Sequence, residues 1–231
     1  YANESIQLHR RPEDDRRGLW RQYGTEVVSQ QVPEGVADTL RSDVRPPFRA
    51  THHAIRIAIG ADLKAVATAD ITVEAAGRSR EWLPFALHPR LRLQRVFAGD
   101  QALEFHQEKL RNAVWVRVAP ALEPGASRVL RFEYRGEMFE RLEDDWIALL
   151  SSSDWYPRTA FTVPTTWDLD FTYPARMQLL ASGQRTEDRS EGAVRHSRWV
   201  QTRPTPLASF DLGYFRGIEV TNDSLPPLTV W

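Results

Sequence analysis

The sequence predicts an all-β protein built of packed antiparallel sheets, and three observations carry that prediction. Apolar and polar residues alternate with period two around Ile55, Ile57 and Ile59, around Ala67, Ala69, Ile71 and Val73, and around Trp167, Leu169, Phe171 and Tyr173. That alternation is the mark of half-buried strands. Short apolar runs recur at roughly 8–12-residue spacing with turn chemistry between them, which argues for a sandwich or curved sheet rather than strand–helix units. Beyond Phe48 no segment of helical length shows a helical apolar period.

The chain has 231 residues, 42% of them hydrophobic, with eight tryptophans. That suffices for one large domain, or one domain with an extension. A net charge of −1 gives no electrostatic basis for binding nucleic acid or an anionic membrane. Cysteine is absent, so neither a disulfide framework nor a thiolate site exists, and a periplasmic or secreted setting stays open. No apolar run approaches the ~18 residues of a membrane span.

In chain order, residues 1–47 form an irregular N-terminal arm or linker. Arg10 to Arg17 is densely charged, Pro33, Pro46 and Pro47 punctuate the remainder of the arm, and Trp20 and Tyr23 are the available anchors. The main domain is expected at 48–220. Its first strands run through Ile55–Ile59 and Val66–Glu74, joined at Gly60-Ala61-Asp62, with a turn at Gly77-Arg78-Ser79. Strands come next at Trp82–Leu87, Leu91–Phe97, Ala102–His106, Ala113–Val118 and Arg128–Tyr134. Phe139 to Asp145 reads as a charged connection, Trp146 to Leu150 as a strand, and Ser151 to Pro157 as a loop. Trp167–Tyr173 pairs with His196–Gln201 in a long antiparallel hairpin, and Gln184 to Arg195 reads as a polar excursion between them. Residues 221–231 look like the start of a following segment, truncated.

No residue pattern supports self-contained catalysis. The six histidines are scattered. His106-Gln107-Glu108 lacks the second histidine of H-E-x-x-H, and His52 and His53 point to opposite faces if they lie on a strand. Ser151, Ser152 and Ser153 precede Asp154 without a nucleophile elbow. Glu143, Asp144 and Asp145 are most simply solvated, and no glycine-rich phosphate loop is present. No catalytic residue, metal ligand or cofactor is therefore assigned within this chain.

One loop could carry binding. Ser153, Asp154, Trp155 and Tyr156, followed by Pro157 and Arg158, set two aromatics and two charges just before a strand. Aromatics with polar tips are enriched at binding surfaces. They also plug the open ends of β cores, and the residues alone allow both readings.

Four segments in order resemble gluzincin zinc metallopeptidases, the family of aminopeptidase N and leukotriene hydrolase. These are His53-Ala54-Ile55-Arg56-Ile57 with Ala67–Val73, and Pro124-Gly125-Ala126 leading to Arg131–Gly136. After them come Phe171-x-x-Pro174 with Leu179–Gly183, and Trp199 through Pro204 and Pro206 to Phe215. The resemblance covers about residues 48–220 and implies the family's N-terminal β-saddle domain. In that family this domain packs on a thermolysin-like catalytic domain of the same polypeptide, which carries the zinc. The resemblance further implies that Ser153, Asp154, Trp155 and Tyr156 lie at the rim of a cleft for a peptide substrate. The loop lacks the family's glutamine-plus-acid pattern, and Phe161–Thr166 does not match its Trp-Asp-Glu-Pro-like element. Those departures point to a divergent bacterial member, or to one whose peptidase activity is lost. The other expectation is a free-standing β-sandwich binding module for carbohydrate or a protein partner, with Trp155 and Tyr156 as stacking platforms.

Overall fold

The computed structural model describes residues 48–76, 81–108, 112–143, 146–151, 154–159, 163–215, 217–222 and 225–230. The expected arm at 1–47 and the turn at Gly77–Ser79 lie outside the described residues. All regular structure among the described residues is β.

The longest strands pair as their alternation predicts. β1 (Phe48–Ile59) and β2 (Lys64–Ala75) form an antiparallel hairpin that sets Ile57 opposite Ala67 and Ile55 opposite Ala69. Their inward rows, including Ile55, Ile57, Ala69, Ile71 and Val73, are buried. β3 (Trp82–Ala86), β4 (Leu91–Ala98), β5 (Gln101–Ala102), β6 (Phe105–Gln107), β7 (Ala113–Arg117) and β8 (Ser127–Glu137) succeed them. Next come β9 (Phe139–Glu143), β10 (Trp146–Leu149), β11 (Arg158–Thr159) and β12 (Thr165–Pro174). β13 (Gln178–Ala181), β14 (Gln184–Glu191), β15 (Val194–Thr205), β16 (Phe210–Gly213), β17 (Ile218–Asn222) and β18 (Leu225–Val230) complete the order.

Eight strands make the main sheet, in the order β14-β15-β12-β1-β2-β8-β4-β5. A four-stranded sheet, β11-β3-β7-β6, lies against its inner face. Phe85 of β3 joins the two layers, with its ring 5.3 Å from Phe48 and 4.9 Å from Phe132. The pair β13-β16 closes the core beside β12, where Phe210 packs 4.8 Å from Phe171. Pairs β9-β10 and β17-β18 complete the set.

The expected hairpin between Trp167–Tyr173 and His196–Gln201 is β12 against β15, with Leu169 opposite Trp199 and Phe171 opposite Ser197. Four details differ from the sequence reading. β1 pairs with β12 in parallel, His53 beside Trp167 and Ile57 beside Phe171. A parallel pair needs a long crossover, and the whole of β2 to β11 supplies it. The polar excursion at 184–191 is a strand, β14, paired to β15 and exposed along its length. With both faces in water it has no apolar side to alternate. Phe139–Glu143 is likewise a strand, paired to β10. Its Phe139 is buried, but charges on either side hide the period. Finally, Ala102–His106 changes sheet midway: β5 belongs to the main sheet and β6 to the smaller one. The Leu103 amide still donates to the Val96 carbonyl, while the Glu104 carbonyl accepts from the Arg117 amide, both at 2.8 Å.

Candidate functional site

The loop at 154–159 turns inward. Trp155 is 1% exposed and Tyr156 0%. The Trp155 ring meets Phe210 edge-on at 5.1 Å and Tyr156 at 4.7 Å, and its indole N–H donates to the Ala208 carbonyl at 3.2 Å. Tyr156 packs edge-on to Trp167 at 5.2 Å and to His53 at 5.4 Å. Aromatic pairs at such distances and angles add to the effect of burial itself. Neither ring can act as a surface stacking platform; of the two readings the residues allow, these rings take that of plugs at an end of the core. A loop position says nothing about which way an indole points, and the space between β16 and β12 needs large rings to fill it. Ser153 lies outside the described residues.

Asp154 fixes the loop in this inward state. One carboxylate oxygen accepts from Arg158 Nε at 3.1 Å and Nη2 at 3.0 Å, and the other from Asn112 Nδ2 at 2.7 Å. Its backbone carbonyl accepts from the His88 amide at 2.8 Å, and its amide donates to Ser151 Oγ at 3.1 Å. Both side chains of the Asp154–Arg158 pair are largely sheltered, 12% and 15% exposed. In such surroundings a pair with further hydrogen bonds is costly to break. Thus the start of β11 and the Asn112 turn before β7 are held at the Asp154 carboxylate, and the His88 turn after β3 at its backbone carbonyl. Burial and then Arg90 hold the His88 pKa below its usual value, against the raising effect of Asp154.

The residue pattern gave no reason to single out His53 as a site residue, although its place two residues before Ile55 puts it on the inward row. It is 2% exposed and stacks on Trp167, centroids 4.2 Å apart and planes 12° from parallel. Thr165 Oγ1 lies 3.5 Å from Nδ1, while Nε2 has no hydrogen-bond partner. Burial, with a smaller contribution from His52, depresses its pKa to about 3. It is therefore a neutral ring near pH 7. The Tyr156 hydroxyl is also buried without a partner, and burial pushes its pKa far up, against a smaller lowering by Arg158. His52 points to the other face, as expected of a strand, with Nδ1 2.8 Å from Thr166 Oγ1.

Asp154, Trp155, Tyr156, His53 and Trp167 thus form one buried cluster that seals an end of the core. No element of it presents a nucleophile with an adjacent base. Among the described residues no group of three or more His, Cys, Asp or Glu side chains could hold a metal ion. A zinc centre does not fit the residues described in this chain, and no chemical step is derived through one.

No protein-family model matches the chain, and no curated protein matches it. Solved structures do match in fold. The M1 zinc metallopeptidase from Deinococcus radiodurans aligns with a TM-score of 0.65 at 17% identity, over 77% of this chain and 44% of that one. A two-domain M1 zinc metallopeptidase mutant bound to L-arginine aligns with a TM-score of 0.63 at 19% identity, over 80% of this chain and 46% of that one. A mutant of the Deinococcus radiodurans enzyme bound to a Tyr-Ser-Ala substrate gives 0.61 at 17%, over 79% and 46%. The chain spans less than half the length of these structures. In fold it resembles the N-terminal domain of M1 metallopeptidases.

Proposed function

We propose that this chain is a non-catalytic domain that supports the catalytic domain of an M1-type zinc metallopeptidase and walls one side of its substrate cleft. The observation that carries the reading is the fold match, which takes in more than three quarters of this chain but under half of each metallopeptidase. In this reading the zinc sits in a further domain of the same polypeptide, and the substrate is a peptide. The role of the segment Asp154–Tyr156 is to hold its own end of the wall rigid. Its aromatics anchor it in the core, and Asp154 fixes its backbone.

The alternative of a free-standing module that stacks sugars on Trp155 and Tyr156 is disfavoured by the burial of both rings. Hydrolysis of amino-acid anilides tests the reading. The 231-residue chain alone is expected to show none, with or without added zinc, whereas the complete gene product is expected to show chelator-sensitive hydrolysis. Chelator-sensitive hydrolysis by the chain alone would overturn it.

A further inference from the structure

On the outer face of the main sheet, arginines are matched to carboxylates with great regularity. Arg49 pairs with Glu74 at 2.9 Å, Arg131 with Asp70 at 2.7 Å, Arg95 with Glu133 at 2.6 Å and Arg198 with Asp168 at 2.6 Å. Arg92 and Arg135 break the rule. They are direct cross-strand partners on β4 and β8, both exposed, and neither has an acidic partner among the described residues. Like charges directly opposite one another in a sheet are destabilising. The acids two positions to either side of Arg135 are already engaged, Glu133 by Arg95 and Glu137 by Arg90 at 3.8 Å. Arg90, Arg92, Arg95 and Arg135 against Glu133 and Glu137 leave a local surplus of two positive charges.

The backbone opens a recess at the same place. β4 has an irregularity between Leu93 and Arg95, which leaves Gln94 and Arg95 both exposed. Beside it lies a hollow of about 420 Å³ lined by Val66, Thr68, Gln94, Arg95, Glu133 and Arg135. Val66 stands directly opposite Arg135 on β2 and is 63% exposed. Arg135 lines the recess beside the apolar footing of Val66, and Arg92 stands next to it on the neighbouring strand, outside the lining.

We infer that Arg92 and Arg135 form a carboxylate-binding site for an acidic residue of a polypeptide, with the apolar residue beside that acid resting on Val66. Planar guanidinium forks match a carboxylate two bonds at a time. A carboxylate between them removes the repulsion that the bare sheet carries. A dianion such as phosphate is the poorer ligand, because Glu133 lines the hollow and Glu137 lies two residues beyond Arg135. The inference stands independently of the proposed function, since it rests on no catalytic domain.

The test is a titration of the isotope-labelled 231-residue chain with a capped Val-Glu dipeptide, followed by NMR at the arginine Nε–H signals and the backbone amides of Val66 and Gln94. Saturable shifts at these positions are expected. Arg92→Gln and Arg135→Gln should each weaken binding by about tenfold, in keeping with the loss of a charged hydrogen bond. Val66→Ser should weaken it less, and the capped Val-Gln dipeptide and inorganic phosphate should bind more weakly than Val-Glu. Because both arginines are exposed, unchanged circular dichroism is expected for their variants. Three results would overturn the inference: no saturable shift, equal binding of Val-Gln, or undiminished binding by both arginine variants. Tighter binding of phosphate would overturn the carboxylate assignment.

Discussion

Histidine 53 is an ionisable group held where ionisation is costly. Above pH 6.5 it is neutral in both folded and unfolded chains. Below that value the unfolded chain takes up a proton that the folded one refuses until about pH 3. Stability should therefore fall as pH falls across this window, by up to about 1.4 kcal/mol per pH unit from this residue. Urea unfolding of wild type and His53→Phe at several pH values isolates the effect. The difference between the two should grow in favour of the variant as pH drops, and parallel profiles would refute it. Nearby, Asp154→Ala removes the partner of a sheltered guanidinium and should cost about 3 kcal/mol. Trp155→Ala opens a cavity beside Phe210 and should cost about 4 kcal/mol. If the two aromatics faced solvent instead, the tryptophan variant would unfold within error of wild type.

Individual strands differ in what their sequence reveals. In β1, β2 and β12 one face is core and the other water, so alternation is visible in the residues themselves. β14 is an edge strand with two wet faces. What defines it is backbone pairing to β15, which no side-chain pattern reports. Its two-residue turn into β15 has Gly192 at φ 60°, with Ala193 next, which suits a hairpin with glycine at the first loop position. The other end is set by Gly183, at φ 97°, where a Cβ atom would meet the Val200 carbonyl oxygen at 2.6 Å. Gly183→Ala should therefore cost about 2 kcal/mol, measured by thermal or urea unfolding. The charges of β14 have a second use. Arg185, Glu187 and Arg189 stud an otherwise open edge, the common defence against edge-to-edge pairing. Replacing all three with threonine should promote concentration-dependent association, read by light scattering, while the monomeric fold is retained.

At the scale of the molecule, the layered all-β architecture was legible in turn spacing and period-two rows, and the order of four weak segments pointed to a metallopeptidase N-terminal domain. The sequence concealed orientation. Nothing in Asp154-Trp155-Tyr156 distinguishes a loop tip that reaches outward from one that folds under. That choice is made by residues far away in the chain, at Asn112, Phe210 and Trp167, which meet the loop only after the sheets have closed. It concealed His53 for a related reason: a histidine on an inward row becomes informative only once Trp167 is known to cover it. The outer salt pairs contribute little individually, since most of their arginines are well exposed and screened, so stability should change only slightly between low and moderate salt.

If this chain is one domain of a larger zinc enzyme, the zinc content of the complete gene product, with its metal ligands identified, is the most direct measurement. The expected result is bound zinc held by an H-E-x-x-H helix outside residues 1–231, and no zinc retained by the 231-residue chain purified alone. Stoichiometric zinc held by this chain, or a gene that encodes no such helix, would contradict it.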